Sequence, residues 1–379
     1  VTSINSKAYL DNSATTAVSP AAAQAVATLL TENYGNPSSL HSMGINAERE
    51  MEKARLNIAT ALGVTPQEIT FTSGGTEANN LAIMGVANAR KRMGNRIVTS
   101  QSEHSSVIST CKHLQAMGFD VVFLTPNCQG VVDAEDIENA VNEDTILVSL
   151  MYVNNEIGAV QPVEKLARII KRKNAPAVVH CDCVQAFGKI PVKASTLRAD
   201  IITITAHKIH GPKGTGALYI KKGVRVLPRQ FGGEQEKRLR PGTQATPLIG
   251  GFGQAVQEID YNNIEQIQQL NDYLRQQLCE ISQIHINSSQ DCLPYILNFS
   301  VLGIRSETML HFLANQGVYV SSGSACAKGQ KSHVLQAMGL DARAIDSAIR
   351  VSFSKYNTIE HIDMLVSALK QGVKTLMKA

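Results

Sequence analysis

Residues 201–214 read IITITAHKIHGPKG, a β-branched run that stops at an alanine, a histidine and a lysine before a Gly-Pro turn. A short run of this composition bounded by turn residues predicts a buried strand. The same pattern recurs upstream: EITF runs into TSGGTEANN, RIVTS into QSEH, TILVSLMYV into NNE, and AVVH into CDCVQ. Strands of this kind separated by helix-like segments predict an α/β sheet with helices on both faces. In open α/β sheets ligands bind beyond the carboxyl ends of the strands, where loops are free to carry polar groups. The polar clusters closing these runs are therefore where a site is expected.

The 379 residues exceed what one core usually supports, so a large and a smaller domain are expected. SPAAAQAVATLL opens a helix, with Ser19 as cap and Pro20 in the first turn. From Ile264 a long helix carries Ile267, Leu270, Leu274, Leu278 and Ile281 on one stripe, and it follows the glycine-rich GGFGQ. Beyond it, strand-like PYILNFSV, helical SETMLHFLANQ and strand-like IRVSFS predict an α+β unit. The expected division is a large domain over 17–260 and a small one formed by 1–16 and 261–379.

With 44% hydrophobic and 18% charged residues the chain is an ordinary globular protein, and a net charge of +4 does not call for nucleic acid or a membrane. No apolar stretch approaches the ~20 residues that span a bilayer, and the opening VTSINSKAYLDNS has no basic, then apolar, leader pattern. Seven scattered cysteines fit a reducing compartment, so a cytoplasmic location is expected. HCDC at 180–183 invites a metal reading, but on a strand Cys181 and Cys183 face one side while His180 and Asp182 face the other. No metal site is expected there.

In TSGGTEANN, Gly74 and Gly75 bend the backbone, and the residues after them begin a helix whose free N–H groups suit a phosphate. GPKGTG at 211–216 lacks phosphate-loop spacing and reads as a tight turn before the strand ALYI. Lys208 follows a buried strand through Thr205, Ala206 and His207. Desolvation and nearby positive charge lower a lysine's pKa in such a place, leaving its amine free to form a Schiff base. Asp182 supplies the carboxylate that keeps a pyridine nitrogen protonated. Together these residues specify pyridoxal 5′-phosphate.

The ordered succession YLDNSATT, FTSGGTEANN, SEH, VNNEIG, HCDCVQ, TAHKIHGPKGTGALY, RPGT and SSGSAC resembles the cysteine desulfurases of the NifS/IscS type, class V aminotransferases among the fold-type I pyridoxal phosphate enzymes. The likeness runs from about Tyr9 to Ser354. It implies a mostly parallel seven-stranded sheet flanked by helices, a smaller α+β domain, and a homodimer. Lys208 is then the Schiff-base lysine, Asp182 the partner of the ring nitrogen, and Gln185 the partner of the ring hydroxyl. His104 lies over the ring and moves protons. Gly75, Thr76, Thr205, His207 and, from the other subunit, Thr243 hold the phosphate. Arg350 and Asn155 bind the substrate carboxylate, with Asn36 lining the same pocket. Taken singly, His104 also reads as a cap, Asn155 as a turn residue, Gln185 as a helix cap, Thr243 as a loop hydroxyl and Arg350 as an ion-pair partner.

The resemblance also gives Cys326, alone in VYVSSGSACAKGQKSH with no apolar face around it, a task. Its thiolate, on a loop over about 321–334, takes sulfur from L-cysteine, releases alanine and passes the persulfide to an acceptor protein, an iron–sulfur scaffold or a tRNA-thiolation protein. His104 is the candidate base for that thiol. Thr205, where many relatives carry serine, keeps the hydroxyl. Competing readings are a selenocysteine lyase, an aminotransferase of the same fold, and a non-catalytic partner-binding protein. The basic stretch at 221–240 is expected to be a solvated loop and dimer contact.

Overall fold

A computed structural model describes residues 7–322 and 331–377. The strands, in chain order, are β1 (Ala8–Tyr9), β2 (Ile69–Thr72), β3 (Arg96–Ser100), β4 (Asp120–Leu124), β5 (Thr145–Ser149), β6 (Val178–Asp182), β7 (Ile201–Thr205), β8 (Gly216–Ile220), β9 (Ile284–Ile286), β10 (Ile296–Val301), β11 (Val318–Tyr319) and β12 (Ala348–Ser352). Seven form one sheet in the order β2-β8-β7-β6-β5-β3-β4, with β8 alone running against its neighbours. Every residue of β5, β6 and β7 is buried, as expected of strands covered on both faces. Alternate residues go to opposite cores. Ile97, Leu147, Val178 and Ile201 pack with Leu81 and Ile83, whereas Val98, Val148, Val179 and Ile202 pack with Ile58, Leu62 and Leu166. Cys181 and Cys183 enter the second core with their sulfurs 3.4 Å apart, on the side away from His180 and Asp182, as the strand period predicts.

Four helices bear on the site and its surroundings: α1 (Pro20–Thr31), α2 (Ser42–Leu62), α3 (Gly75–Arg90) and α4 (Ser105–Ala116). Ser19 caps α1, its Oγ accepting from the Ala22 N–H, with Pro20 first in the helix. The stripe from Ile267 to Leu278 is buried along a helix over Asn263–Cys279. Strands β12, β10 and β9 make a separate antiparallel sheet, with Asn298 opposite Arg350. The amino-terminal segment joins the two sheets. β1 pairs with β11, Asp11 bridges to Ser352, and the Thr16 and Ser19 N–H groups then donate to the His207 and His210 carbonyls.

The 221–240 stretch departs from a simple solvated loop. Glu236 turns inward and takes both ends of the Arg55 guanidinium at 2.8 and 2.9 Å, and one of its oxygens also accepts the Phe71 N–H. Arg55 donates to the Ile69 carbonyl and lies 4.6 Å over the Phe71 ring. Glu236, Lys237 and Arg238 all have left-handed backbone, with φ of 45°, 56° and 65°. Such a conformation costs an L-residue roughly 1–2 kcal/mol. The bidentate pair is what holds it.

Candidate active site

The carboxyl ends of β6 and β7 hold two of the candidate groups, Asp182 and, one turn on, Lys208. After β7 the chain makes one tight turn, Ala206–Lys208. The turn aims Lys208 Nζ at the carbonyls of Ser13, in a very short bond, and Ala14, at 2.8 Å. Asp182 ends β6. Its Oδ1 accepts the Val184 N–H at 2.9 Å and its Oδ2 accepts Asn79 Nδ2 at 2.7 Å. Asn79, on the second turn of α3, also donates to Ser106 Oγ at 2.9 Å. Ser106 Oγ lies 2.8 Å from His104 Nδ1, so a single chain of bonds runs from Asp182 to His104.

His104 caps α4: its Nδ1 accepts the Ser106 N–H at 3.1 Å. An Nδ1 occupied as acceptor leaves the proton of the neutral ring on Nε2. Burial pushes the His104 pKa down and nearby Lys208 adds to this, against the pull of Asp182. The cap reading and the functional one therefore describe the same residue. As it stands, His104 offers a proton donor, and accepting a proton at Nδ1 requires release of the cap.

Gln185 is buried, with Nε2 donating to the Ser13 carbonyl at 3.0 Å and Oε1 accepting Lys189 Nζ at 2.7 Å. Gly75 begins α3. A Cβ there would come within 3.0 Å of Val184, and one at Gly216 within 2.8 Å of the Gly74 backbone, so this loop lies directly on the sheet edge. Thr76 is exposed beside it. Thr205 Oγ1 donates to the Thr215 carbonyl at 3.1 Å. His207 Nδ1 is 3.2 Å from Thr15 Oγ1, and burial with Lys208 and Lys213 nearby lowers its pKa to about 4.

Arg350 on β12 is buried, donating to Asp11 Oδ1 at 2.7 Å and to the Asn155 carbonyl at 3.0 Å. The contact with Asn155 is thus through its backbone. Asn36 and Thr243 are exposed. Asn36 Oδ1 accepts the Ser38 N–H of its own turn, and among the described residues no hydrogen bond ties either residue to the Lys208 cluster. Cys326 lies outside the described residues. Where the described chain resumes, Ser332 donates to Glu156 Oε2 at 2.5 Å and His333 Nε2 meets the Glu103 carbonyl at 2.9 Å, next to His104.

Several participants went unread in the sequence. Glu103 is fully buried; its Oε1 accepts the Met151 N–H at 2.7 Å while Oε2 has no partner among the described residues. Burial, with Asp182 nearby, pushes its carboxyl well above the ordinary range against the pull of that bond. Asn79 sits four residues after Gly75 and Lys189 four after Gln185, a spacing that places side chains on one face of a turn. Ser13 contributes a carbonyl, which no side-chain pattern announces.

The donor set fits pyridoxal phosphate. Asp182 is an acceptor for a protonated ring nitrogen, Lys208 an amine and α3 a helix start for a phosphate, while buried Ser13 Oγ and Asn79 Oδ1 are left without partners around them. Fold and site together define a fold-type I pyridoxal phosphate-dependent enzyme. Residues 8–365 match the aminotransferase class-V family model. The chain belongs to that family, among its pyridoxal phosphate-dependent cysteine desulfurases. It is 38% identical to a cysteine desulfurase IscS of Methanosarcina thermophila over 99% of this chain and 94% of the relative. With the cysteine desulfurase IscS of Dictyoglomus turgidum the identity is 39%, over 97% and 95%. A solved NifS-like protein superposes with a TM-score of 0.92 at 40% identity, covering 97% of this chain and all of that one. The lyase, plain aminotransferase and non-catalytic readings are not favoured.

Proposed function

We propose that this desulfurase works through the Lys208 cluster, with Cys326 as sulfur acceptor. The observation that carries the reading is the convergence of Lys208 and Gln185 on one carbonyl, that of Ser13, beside the Asp182–Asn79–Ser106–His104 chain. Pyridoxal phosphate, when bound, supplies an electron sink for the substrate's carbon skeleton. Lys208 anchors it, Asp182 keeps the proton on its ring nitrogen and Gln185 donates to its ring oxygen. The α3 start at Gly75 and Thr76, with Thr205, His207 and the Thr243 of a second copy, takes the phosphate. Arg350 exchanges Asp11 for the carboxylate of L-cysteine, a bidentate match, with Asn155 fixing the guanidinium. Asn36, by its exposed position, belongs at most to the rim. His104 keeps an Nε2–H as a hydrogen-bond donor, and once it takes up a proton at Nδ1 on release of the cap it can give one to the substrate. Cys326 thiolate bonds to the substrate sulfur; the carbon–sulfur bond breaks with its electron pair left on carbon, which is protonated to give alanine. The persulfide passes to an acceptor protein, an iron–sulfur scaffold or a tRNA-thiolation protein.

The reading divides the chain into a large domain over 17–260 and a small one formed by 1–16 and 261–379, which is supported by the seven-stranded sheet lying in the first and the three-stranded one in the second, and the enzyme works as a cytoplasmic homodimer. Among the described residues no helix is long and apolar enough to cross a membrane. Tyr34, Leu40 and Phe231 are 65%, 95% and 88% exposed, and their segments flank a cavity lined by Pro37, Ser38, Glu236 and Gln244. A second copy covering that face would bring its Thr243 to the phosphate; a monomer in sedimentation would remove this part of the reading.

The test is alanine release from cysteine and selenocysteine, together with the visible spectrum. Lys208→Ala should lose the cofactor's lysine-bound absorption. Cys326→Ser should keep it and lose alanine release from cysteine. Alanine release at the wild-type rate by Cys326→Ser would overturn the acceptor role, and an unchanged spectrum in Lys208→Ala would overturn the anchor.

A further inference from the structure

None of these steps uses Lys189, yet it is buried within the same network. Its Nζ donates to Gln185 Oε1 at 2.7 Å and lies 5.8 Å over the Tyr295 ring, and no carboxylate pairs with it among the described residues. A cavity beside it is also lined by Asn12, Lys208, Glu258 and Asp260. An unpaired ammonium is costly to bury, and a methionine or leucine would fill the same space without that cost. Lysine differs from either in being a donor and nothing else.

A glutamine amide is two-ended, and its neighbours decide which end points where. Lys189 accepts nothing, so it draws Oε1 to itself and sends the NH2 end the other way. One of those hydrogens goes to the Ser13 carbonyl, the carbonyl that also receives Lys208. The other is left to give. We propose that Lys189 is a positioning residue of the desulfurase reaction, one that acts through Gln185 by holding its amide with the donor end toward Lys208 and the cofactor's ring oxygen. This rests on the ring-oxygen role proposed for Gln185.

The electrostatic setting agrees. Burial first, then the charges of Lys208 and Arg350, lower the Lys189 pKa to about 7. Below that pH the ammonium is a donor only and fixes the amide; above it the neutral amine keeps N–H groups for Oε1 but no longer forces the orientation. The other groups facing it are His210, whose own titration feels Lys189, and Glu258 and Asp260 across the cavity.

The test is a pH titration of the visible band of the purified holoenzyme in wild type, Lys189→Met, Gln185→Leu and the double variant. A ring oxygen that loses a donor holds the neighbouring proton more tightly, so each single change should raise the midpoint, by about one pH unit. If Lys189 acts through Gln185, Lys189→Met should move the midpoint by less than half as much in the Gln185→Leu background. A shift of equal size in both backgrounds, or none in the single variant, overturns the proposal while leaving Gln185 its role. No shift in Gln185→Leu removes the role of Gln185 and this inference with it. Should Lys189→Met not fold, Lys189→Leu is read in the same way.

Discussion

Arg55 and Glu236 bury opposite charges against each other, whereas Lys189 and Glu103 are single ionisable groups buried against neutral dipoles. In the first region every strong group is answered: the guanidinium by two carboxylate oxygens, a carbonyl and a ring, and the carboxylate by the Phe71 N–H as well. In the second, Lys189 has an amide oxygen, Glu103 has one backbone N–H, and Asn79 Oδ1 and Glu103 Oε2 have no partner among the described residues. The difference lies in what each arrangement accomplishes. The answered pair meets a left-handed segment; the unanswered groups are displaced in pKa, Glu103 upward and Lys189 downward, near the Asp182 and Lys208 proposed for the chemistry. Completing the second network internally would leave less capacity for a cofactor and a substrate.

Stability measurements can tell the two regions apart. The largest effect is expected for Glu236→Ala, which leaves the buried guanidinium only the half-exposed Glu52 carboxylate, 2.8 Å from its Nε, and should cost about 3 kcal/mol in urea unfolding. Arg55→Met combined with Glu236→Leu should cost clearly less than that single change, because no charge is left buried alone. Equal losses would mean that packing, not pairing, holds the segment. Glu103→Gln is the small effect, of opposite sign. The folded carboxyl keeps its proton well above the ordinary range, while the unfolded one loses it near the usual value, so wild type loses stability as pH rises through that interval. Glutamine does not titrate. Its advantage should therefore grow with pH, by at most about 1.4 kcal/mol when unfolding is compared at pH 5 and pH 6. A difference independent of pH would show that Glu103 is not held protonated.

The strand ends were legible because a β-branched run closing on His-Lys or Asp leaves few other readings, and the Ser19 cap and the Ile267–Leu278 stripe follow from local chemistry alone. What lay beyond reach was long-range. Glu236 sits in a run of basic residues, and the arginine that draws it inward is 181 positions away on a helix where it reads as a surface charge. Asn79 and Lys189 belong to stretches whose other members announce a loop and a strand end. A backbone carbonyl, such as that of Ser13, has no residue type to read. The family resemblance marks Arg350 for a substrate carboxylate, but no local pattern announces that Asp11 of the amino-terminal segment pairs with it.

That segment has a consequence for how the protein is made. Its Ser13 and Ala14 carbonyls are made 195 and 194 positions before Lys208, to which they bond, and Asp11 is made 339 positions before Arg350. Contacts so distant in sequence form late, after the closure of long stretches of chain. The large sheet has all its strands by Ile220, yet β1 and Asp11 must wait for β11 and β12. A nascent chain thus has Lys208 well before it has the strands that anchor the amino-terminal segment beside it.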